Sequence, residues 1–159
     1  MATYLPEGFS SITPVFVCKD SRKAIDFYKQ AFGAQELLVM PGPNGNGVMH
    51  AQLKIGNSII MLGDEVPQMS CKSVETLGGS PVNIYLYVEN VDQAFRRALE
   101  AGAQSLEAVQ DMFWGDRVGT VQDLFGYRWT LATHIKDLTP QELQQGAQEA
   151  YAQMANKNR

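Results

Sequence analysis

The chain has 159 residues, 45% of them hydrophobic and 19% charged, enough apolar mass for one domain or two small halves on a shared core and too much for a disordered chain. Thirteen Lys and Arg against seventeen Asp and Glu leave a formal charge of −4, and with no basic stretch a nucleic-acid binder is disfavoured. The longest apolar runs, at 59–62 and 84–88, are strand-sized and far short of the ~20 residues of a membrane span. Residues 1–10 show no basic start followed by an apolar run, and Cys18 and Cys71 match neither disulfide nor metal spacing. A cytoplasmic chain is therefore expected.

In chain order, a strand is predicted over 12–18 and then a helix. Asp20 is placed to cap that helix, and Ala24, Ile25, Tyr28, Ala31 and Phe32 form one apolar stripe along it. Gly33 ends it. Strands follow over 36–40, 48–55 and 58–62. The turn at 41–47 is rich in Gly and Pro but lacks the Lys-Ser/Thr ending of a phosphate loop. The pattern then returns at a spacing of 90 − 20 = 70, with Asn90 standing for Asp20 and Phe95 for Ile25. Gly33-Ala34-Gln35 recurs as Gly102-Ala103-Gln104, and Gln52 and Gly56 match Gln122 and Gly126. Val91, Ala94, Phe95, Ala98 and Leu99 make the second stripe, and the second set of strands is predicted over 82–88, 105–109, 118–122 and 127–133. The chain thus reads as an α+β duplication: a first βαβββ module at 9–64, a linker at 65–79, a second module at 80–135 and an extension at 136–159. In the extension, Thr139, Pro140 and Glu142 predict a capped helix over about 141–154.

Alternation predicts which side chains share a face. Met49, Ala51, Leu53 and Ile55 lie under a helix, as do Val82, Ile84, Leu86 and Val88, and Tyr127, Trp129 and Leu131. Opposite them stand Thr13, Val15 and Val17, then His50, Gln52 and Lys54, then Asn83, Tyr85 and Tyr87, then Arg128, Thr130 and Ala132. A curved sheet would gather these into one amphipathic trough.

A tandem βαβββ chain with such a trough resembles the vicinal oxygen chelate superfamily, which includes glyoxalase I, bleomycin-resistance proteins and extradiol dioxygenases. Asp111-Met112-Phe113-Trp114-Gly115-Asp116-Arg117, Asp123-Leu124-Phe125-Gly126-Tyr127-Arg128-Trp129 and Ala24-Ile25-Asp26-Phe27-Tyr28 resemble its PhnB-like branch. The resemblance implies the glyoxalase/bleomycin-resistance-like fold, a curved mixed sheet around a concave cavity. It also implies that metal enzymes of the family take four His or Glu ligands from positions that here are Thr13, Ile60, Asn83 and Thr130. None of these is an imidazole, carboxylate or thiolate. No inherited metal site, no cofactor and no glyoxalase I activity are expected. Homodimers are what the resemblance implies for the assembly.

Within the trough, His50 reads either as a general base or as a residue that orders its neighbours by hydrogen bonding. Joined by an outside carboxylate such as Glu65, it would make a replacement metal site. Trp114 offers a flat apolar surface, and Arg117 a bidentate grip on an anion, unless Trp114 fills core and Asp116 and Arg117 pair with each other or the backbone. Tyr85 and Tyr87 suit a binding wall, and Arg128 either meets the ligand or pairs with a carboxylate such as Asp123. His134 reads as a strand-end residue. The expected ligand set is Thr13, Val15, His50, Gln52, Asn83, Tyr85, Tyr87, Trp114, Arg117, Arg128 and Thr130, holding a small aromatic or anionic molecule. The expectation is a binding protein in the manner of the family's antibiotic-sequestering members, with a lyase, isomerase or oxygenase using His50 or a non-inherited metal site as the rival and a scaffold or regulatory protein with a vestigial trough as a third reading.

Overall fold

The computed structural model describes residues 3–157, so the first two and last two residues of the predicted chain organisation lie outside it. The first module comprises β1 (Val15–Cys18), α1 (Ser21–Phe32), β2 (Gln35–Pro41), β3 (Val48–Ile55) and β4 (Ser58–Asp64). A linker with the single-turn α2 (Val74–Leu77) leads to β5 (Asn83–Tyr87), α3 (Val91–Glu100), β6 (Gln104–Asp111), β7 (Asp116–Gln122) and β8 (Arg128–His134), followed by α4 (Pro140–Lys157). Each module closes a four-stranded mixed sheet, ordered β1-β4-β3-β2 and β5-β8-β7-β6. In both, the first strand runs parallel to the last and the other pairings are antiparallel.

The helix ends are built as their residues dictate. The Asp20 side chain accepts from Lys23 N, and the Asn90 side chain from Gln93 N. The neighbouring strand adds a second cap in each half: Ser21 N donates to Asp64 at 2.8 Å, and Val91 N donates to the Thr133 hydroxyl at 2.9 Å. Thr139 and Glu142 form the expected reciprocal cap on α4.

Strand pairing corrects the repeat register. Val15 lies beside Met61 and Tyr85 beside Thr130, so the offset of 70 at the first strands becomes 130 − 61 = 69 at the last. The hairpin turns differ in length, Ile55 pairing with Ser58 but Gln122 with Arg128. The Gln52/Gln122 and Gly56/Gly126 matches therefore do not mark equivalent strand positions. Two parity expectations also fall. Met49 sits where β2 and β3 slip register and is 59% exposed, and Val82 precedes β5 and is exposed.

The apolar faces of both halves meet in one core. It joins Ile25, Tyr28 and Phe16 of the first half to Phe95, Val121, Trp129 and Leu131 of the second, with α1 packed on α3. Phe16 stacks on Tyr127 at a ring separation of 4.5 Å and meets Trp129 edge-on. At the seam Asp123, 4% exposed, accepts from the Tyr28 hydroxyl (2.6 Å), the Trp129 indole (2.9 Å) and the backbone N–H groups of Phe125 and Tyr127. Burial pushes its carboxyl above the usual range, against these four donors. Tyr127 closes the seam by donating its hydroxyl to Val17 O and accepting from Val17 N along the edge of β1.

Candidate ligand-binding trough

The faces opposite this core point outward. On the first half, register places Leu38, Met40, His50, Gln52, Met61 and Val15 together. Val15 is 62% exposed, and Leu38 and Met40 are also exposed. His50 and Gln52 are half-buried and bond each other at 3.2 Å through their side-chain nitrogens. No carboxylate orients the His50 ring among its hydrogen bonds to described residues. Glu65 accepts instead from Ser73 N at 2.6 Å, and bonds from Thr76 and Ser73 hold its carboxyl down to about 2. The expected pairing of His50 with Glu65 is thus set aside. Among the described residues, no group of three or more His, Cys, Asp or Glu side chains is placed to hold a metal ion.

The positions matching the family's metal ligands need one correction. Ile60 belongs to the buried core, on the helix side of β4, and Met61 takes the outward position opposite Val15. Thr13 lies before β1 and donates its hydroxyl to Ser10 O at 3.2 Å. The Asn83 side-chain amide donates to the Thr130 hydroxyl at 2.8 Å. Thr130 lies 3.3 Å from the Thr120 hydroxyl, which bonds Glu107, and Glu107 in turn pairs with Arg128 at 2.9 Å. A thioether, two hydroxyls and an amide do not fit a zinc, nickel or iron site. In the second half, two of these groups spend their hydrogen-bonding capacity on each other. Arg128 pairs with Glu107, and not with Asp123.

At the other end of the second face, Tyr85 and Tyr87 each donate a hydroxyl to the same Asp116 oxygen at 2.9 Å. The other Asp116 oxygen meets His134 Nδ1 at 2.7 Å, and His134 Nε2 meets Asp137 at 2.9 Å. Asp116 is 3% exposed. Burial acts to raise its carboxyl, but the bonds from His134, Tyr85 and Tyr87 outweigh it and hold the carboxyl low. The two carboxylates raise the His134 imidazole, and burial with the neighbouring carboxylate pushes Tyr85 up to about 12. Trp114, half-buried in the β6–β7 turn, donates its indole N–H toward the Tyr85 hydroxyl at 3.4 Å. Gly115 holds that turn in place: its φ is +93°, and a Cβ there would run into the Lys136 carbonyl.

His134, read from sequence as a strand-end residue, is the exposed last residue of β8 and also lies on this outward face. The alternation Arg128, Thr130, Ala132 simply continues to 134. Arg117 does not belong to it. The guanidinium grips Asp92 of α3 at 2.9 Å and Asp111 at 2.8 Å, on the side where a Cβ at Gly119 would strike Phe95. One residue of parity separates it from Asp116 and turns it to the helix side. The linker packs at the β7–β8 turn, where α2 sets Val74 against Gly126. The hydrogen bonds that cross between the halves run through the core side, from Tyr28, Tyr127 and Arg97. His50 and Gln52 make none to Tyr85, Asp116 or Thr130 within the described chain.

The family model for the Glyoxalase/Bleomycin resistance protein/Dioxygenase superfamily matches residues 11–131. An uncharacterised protein of Mycobacterium bovis is 44% identical over 84% of this chain and 90% of its own. The crystal structure of TioX from Micromonospora sp. ML1 is 29% identical, with a TM-score of 0.63 over 79% of this chain and 99% of its own. A PhnB protein from Bacillus cereus, described as a putative 3-demethylubiquinone-9 3-methyltransferase, matches the fold with a TM-score of 0.61 at 19% identity, over 78% of this chain and 99% of its own. Two βαβββ modules, their outward faces and these likenesses agree: the chain belongs to the glyoxalase/bleomycin resistance protein/dioxygenase superfamily.

Proposed function

We propose that this is a cytoplasmic, metal-free binding protein of the PhnB-like branch, holding a small, partly aromatic molecule against the outward face of the second module. The observation that carries the reading is the fate of the metal corners. Asn83 and Thr130 bond each other, while an aromatic wall of Tyr85, Tyr87 and Trp114 stands open beside them. An anionic ligand is disfavoured in this reading, because Arg117 is engaged by Asp92 and Asp111 and Arg128 by Glu107.

A second copy completes the trough in this reading. The first-half face exposes Val15, Leu38 and Met40, and the second-half face exposes Tyr85 and Tyr87, an apolar spread that suits a partner surface. Two-fold symmetry would set the first face of each copy opposite the second face of the other, giving two equal troughs. Light scattering should return twice the chain mass, and Val15→Asp together with Met40→Asp should return the monomer.

Native mass spectrometry of the purified protein, followed by identification of whatever co-purifies, tests the binding reading itself. Trp114→Ala should weaken that ligand by ~1–3 kcal/mol through lost aromatic burial, and His50→Ala should leave affinity within about 0.5 kcal/mol. An unchanged dissociation constant for Trp114→Ala would remove the wall from the site. Conversion of the ligand by the wild type, lost in His50→Ala, would favour the enzyme reading.

A further inference from the structure

We infer that the Tyr85–Tyr87–Trp114–Asp116 end of the trough recognises an organic cation: an ammonium or amidinium group carried on a small aromatic or aliphatic body. The inference rests on the binding reading above and names the chemical class that this one wall would select.

Donor and acceptor bookkeeping leads there. Both phenol hydroxyls spend their protons on one Asp116 oxygen, so toward a ligand each can offer only lone pairs. The Trp114 indole N–H is turned on the Tyr85 oxygen, and both His134 nitrogens are turned on carboxylates. Every polar side-chain group the cluster leaves for a newcomer is therefore an acceptor, and an acceptor wall is complemented by N–H donors. Charge agrees with hydrogen bonding. His134 stands between Asp116 and Asp137, so two carboxylates face a single imidazole and the cluster is net negative in either protonation state of that ring. The nearest guanidinium groups are neutralised elsewhere, Arg117 by Asp92 and Asp111 and Arg128 by Glu107. Neither of these arginines is left to receive an anion at this wall.

Ring geometry supplies the remaining part. The Tyr85 and Tyr87 rings lie 5.2 Å apart at an interplanar angle of 53°, forming an open wedge. Tyr85 is 41% exposed and Tyr87 60%. Phe113 backs Trp114 edge-on at 5.1 Å. Exposed π faces with a buried carboxylate behind them attract a positive charge through the ring quadrupoles.

The test uses the full chain, labelled with 15N, and reads the Trp114 indole resonance, with the buried Trp129 indole as internal control. Three probes are titrated: benzylammonium, its uncharged carbon isostere ethylbenzene, and benzoate. The expected result is that the cation binds at least about fivefold more tightly than the isostere, with benzoate weakest. Tyr87→Leu, at an exposed position, should abolish that preference while still binding the isostere. Equal or tighter binding of the isostere or of benzoate at Trp114 would overturn the cation inference and leave the small-molecule reading standing. If none of the probes moves the Trp114 resonance, the inference is overturned, and the binding reading then stands or falls on the co-purified ligand.

Discussion

The two outward faces share a backbone plan and differ in how their side chains are tied down. On the first half, Val15, Leu38 and Met40 lie bare and the polar pair His50–Gln52 bonds only within itself among the described residues. On the second, hydrogen bonds run in two chains, one from Asn83 through Thr130, Thr120 and Glu107 to Arg128, the other from Trp114 through Tyr85, Asp116 and His134 to Asp137. Duplication gave both halves the same strands and helices. What distinguishes them is preorganisation: the second face holds its polar groups in one geometry, which lowers the entropy lost on binding, while the first is an adaptable apolar surface. In the proposed reading the ligand wall falls on the rigid face and the self-association surface includes the other.

Several substitutions would break or sharpen this contrast. The largest effect is expected at the seam that serves both faces. Asp123→Ala leaves the Tyr28 hydroxyl, the Trp129 indole and two backbone N–H groups without their acceptor, and should cost about 3–5 kcal/mol in urea unfolding, with both halves lost in a single transition. A loss below about 1 kcal/mol would mean that the seam does not couple them. Next come the faces themselves. Asp116→Ala releases three hydrogen bonds and should cost about 1–3 kcal/mol, whereas His50→Ala should fall within about 0.5 kcal/mol of the parent. Equal effects would erase the distinction between a rigid and an adaptable face.

The smallest effect is a pH dependence confined to the second face. The carboxylates raise His134 above the ordinary histidine value, so its contribution is complete below that value and lost as pH rises through the raised one. Asp116 is held below the ordinary carboxylate value, so its contribution is present above that value and lost as pH falls through the lowered one. The contact between His134 and Asp116 is therefore strongest between roughly pH 4 and 6.5. Thermal melts of His134→Asn should lose the alkaline limb of this profile, and those of His50→Asn should keep it.

Much of the fold was legible because its signals are local. The caps at Asp20 and Asn90, the apolar helical stripes and the alternation along the strands each depend on near neighbours in sequence, and the two-module architecture follows from their repetition. The pairing register was not legible, since it depends on turns of different length: the resemblance, in agreement with the spacing of 70, pointed to Ile60, whereas Met61 takes the outward position opposite Val15. The site was legible where alternation was followed to the strand end and lost where it stopped. Tyr85, Tyr87 and Thr130 came out correctly oriented; His134 was placed at the strand end, where it is, but its share in the same face, two residues past Ala132, was not drawn. Arg117 was misplaced because a polar residue beside a trough gives no sign of which side a strand will turn it to. Its partner Asp92 lies 25 residues away on α3, beyond the reach of any local pattern. Asp137 had no signal at all, since its role is set by the path of the chain after β8.

In the proposed reading the ligand is held by side chains alone, with no coordinated metal. Elemental analysis of the protein after native purification, without chelator and after growth with zinc, nickel, iron and manganese supplied, tests it most directly. Fewer than about one metal ion per ten chains is expected, since Thr13, Met61, Asn83 and Thr130 offer no ligand set for such ions. A stoichiometric ion that chelator removes together with ligand binding would contradict it.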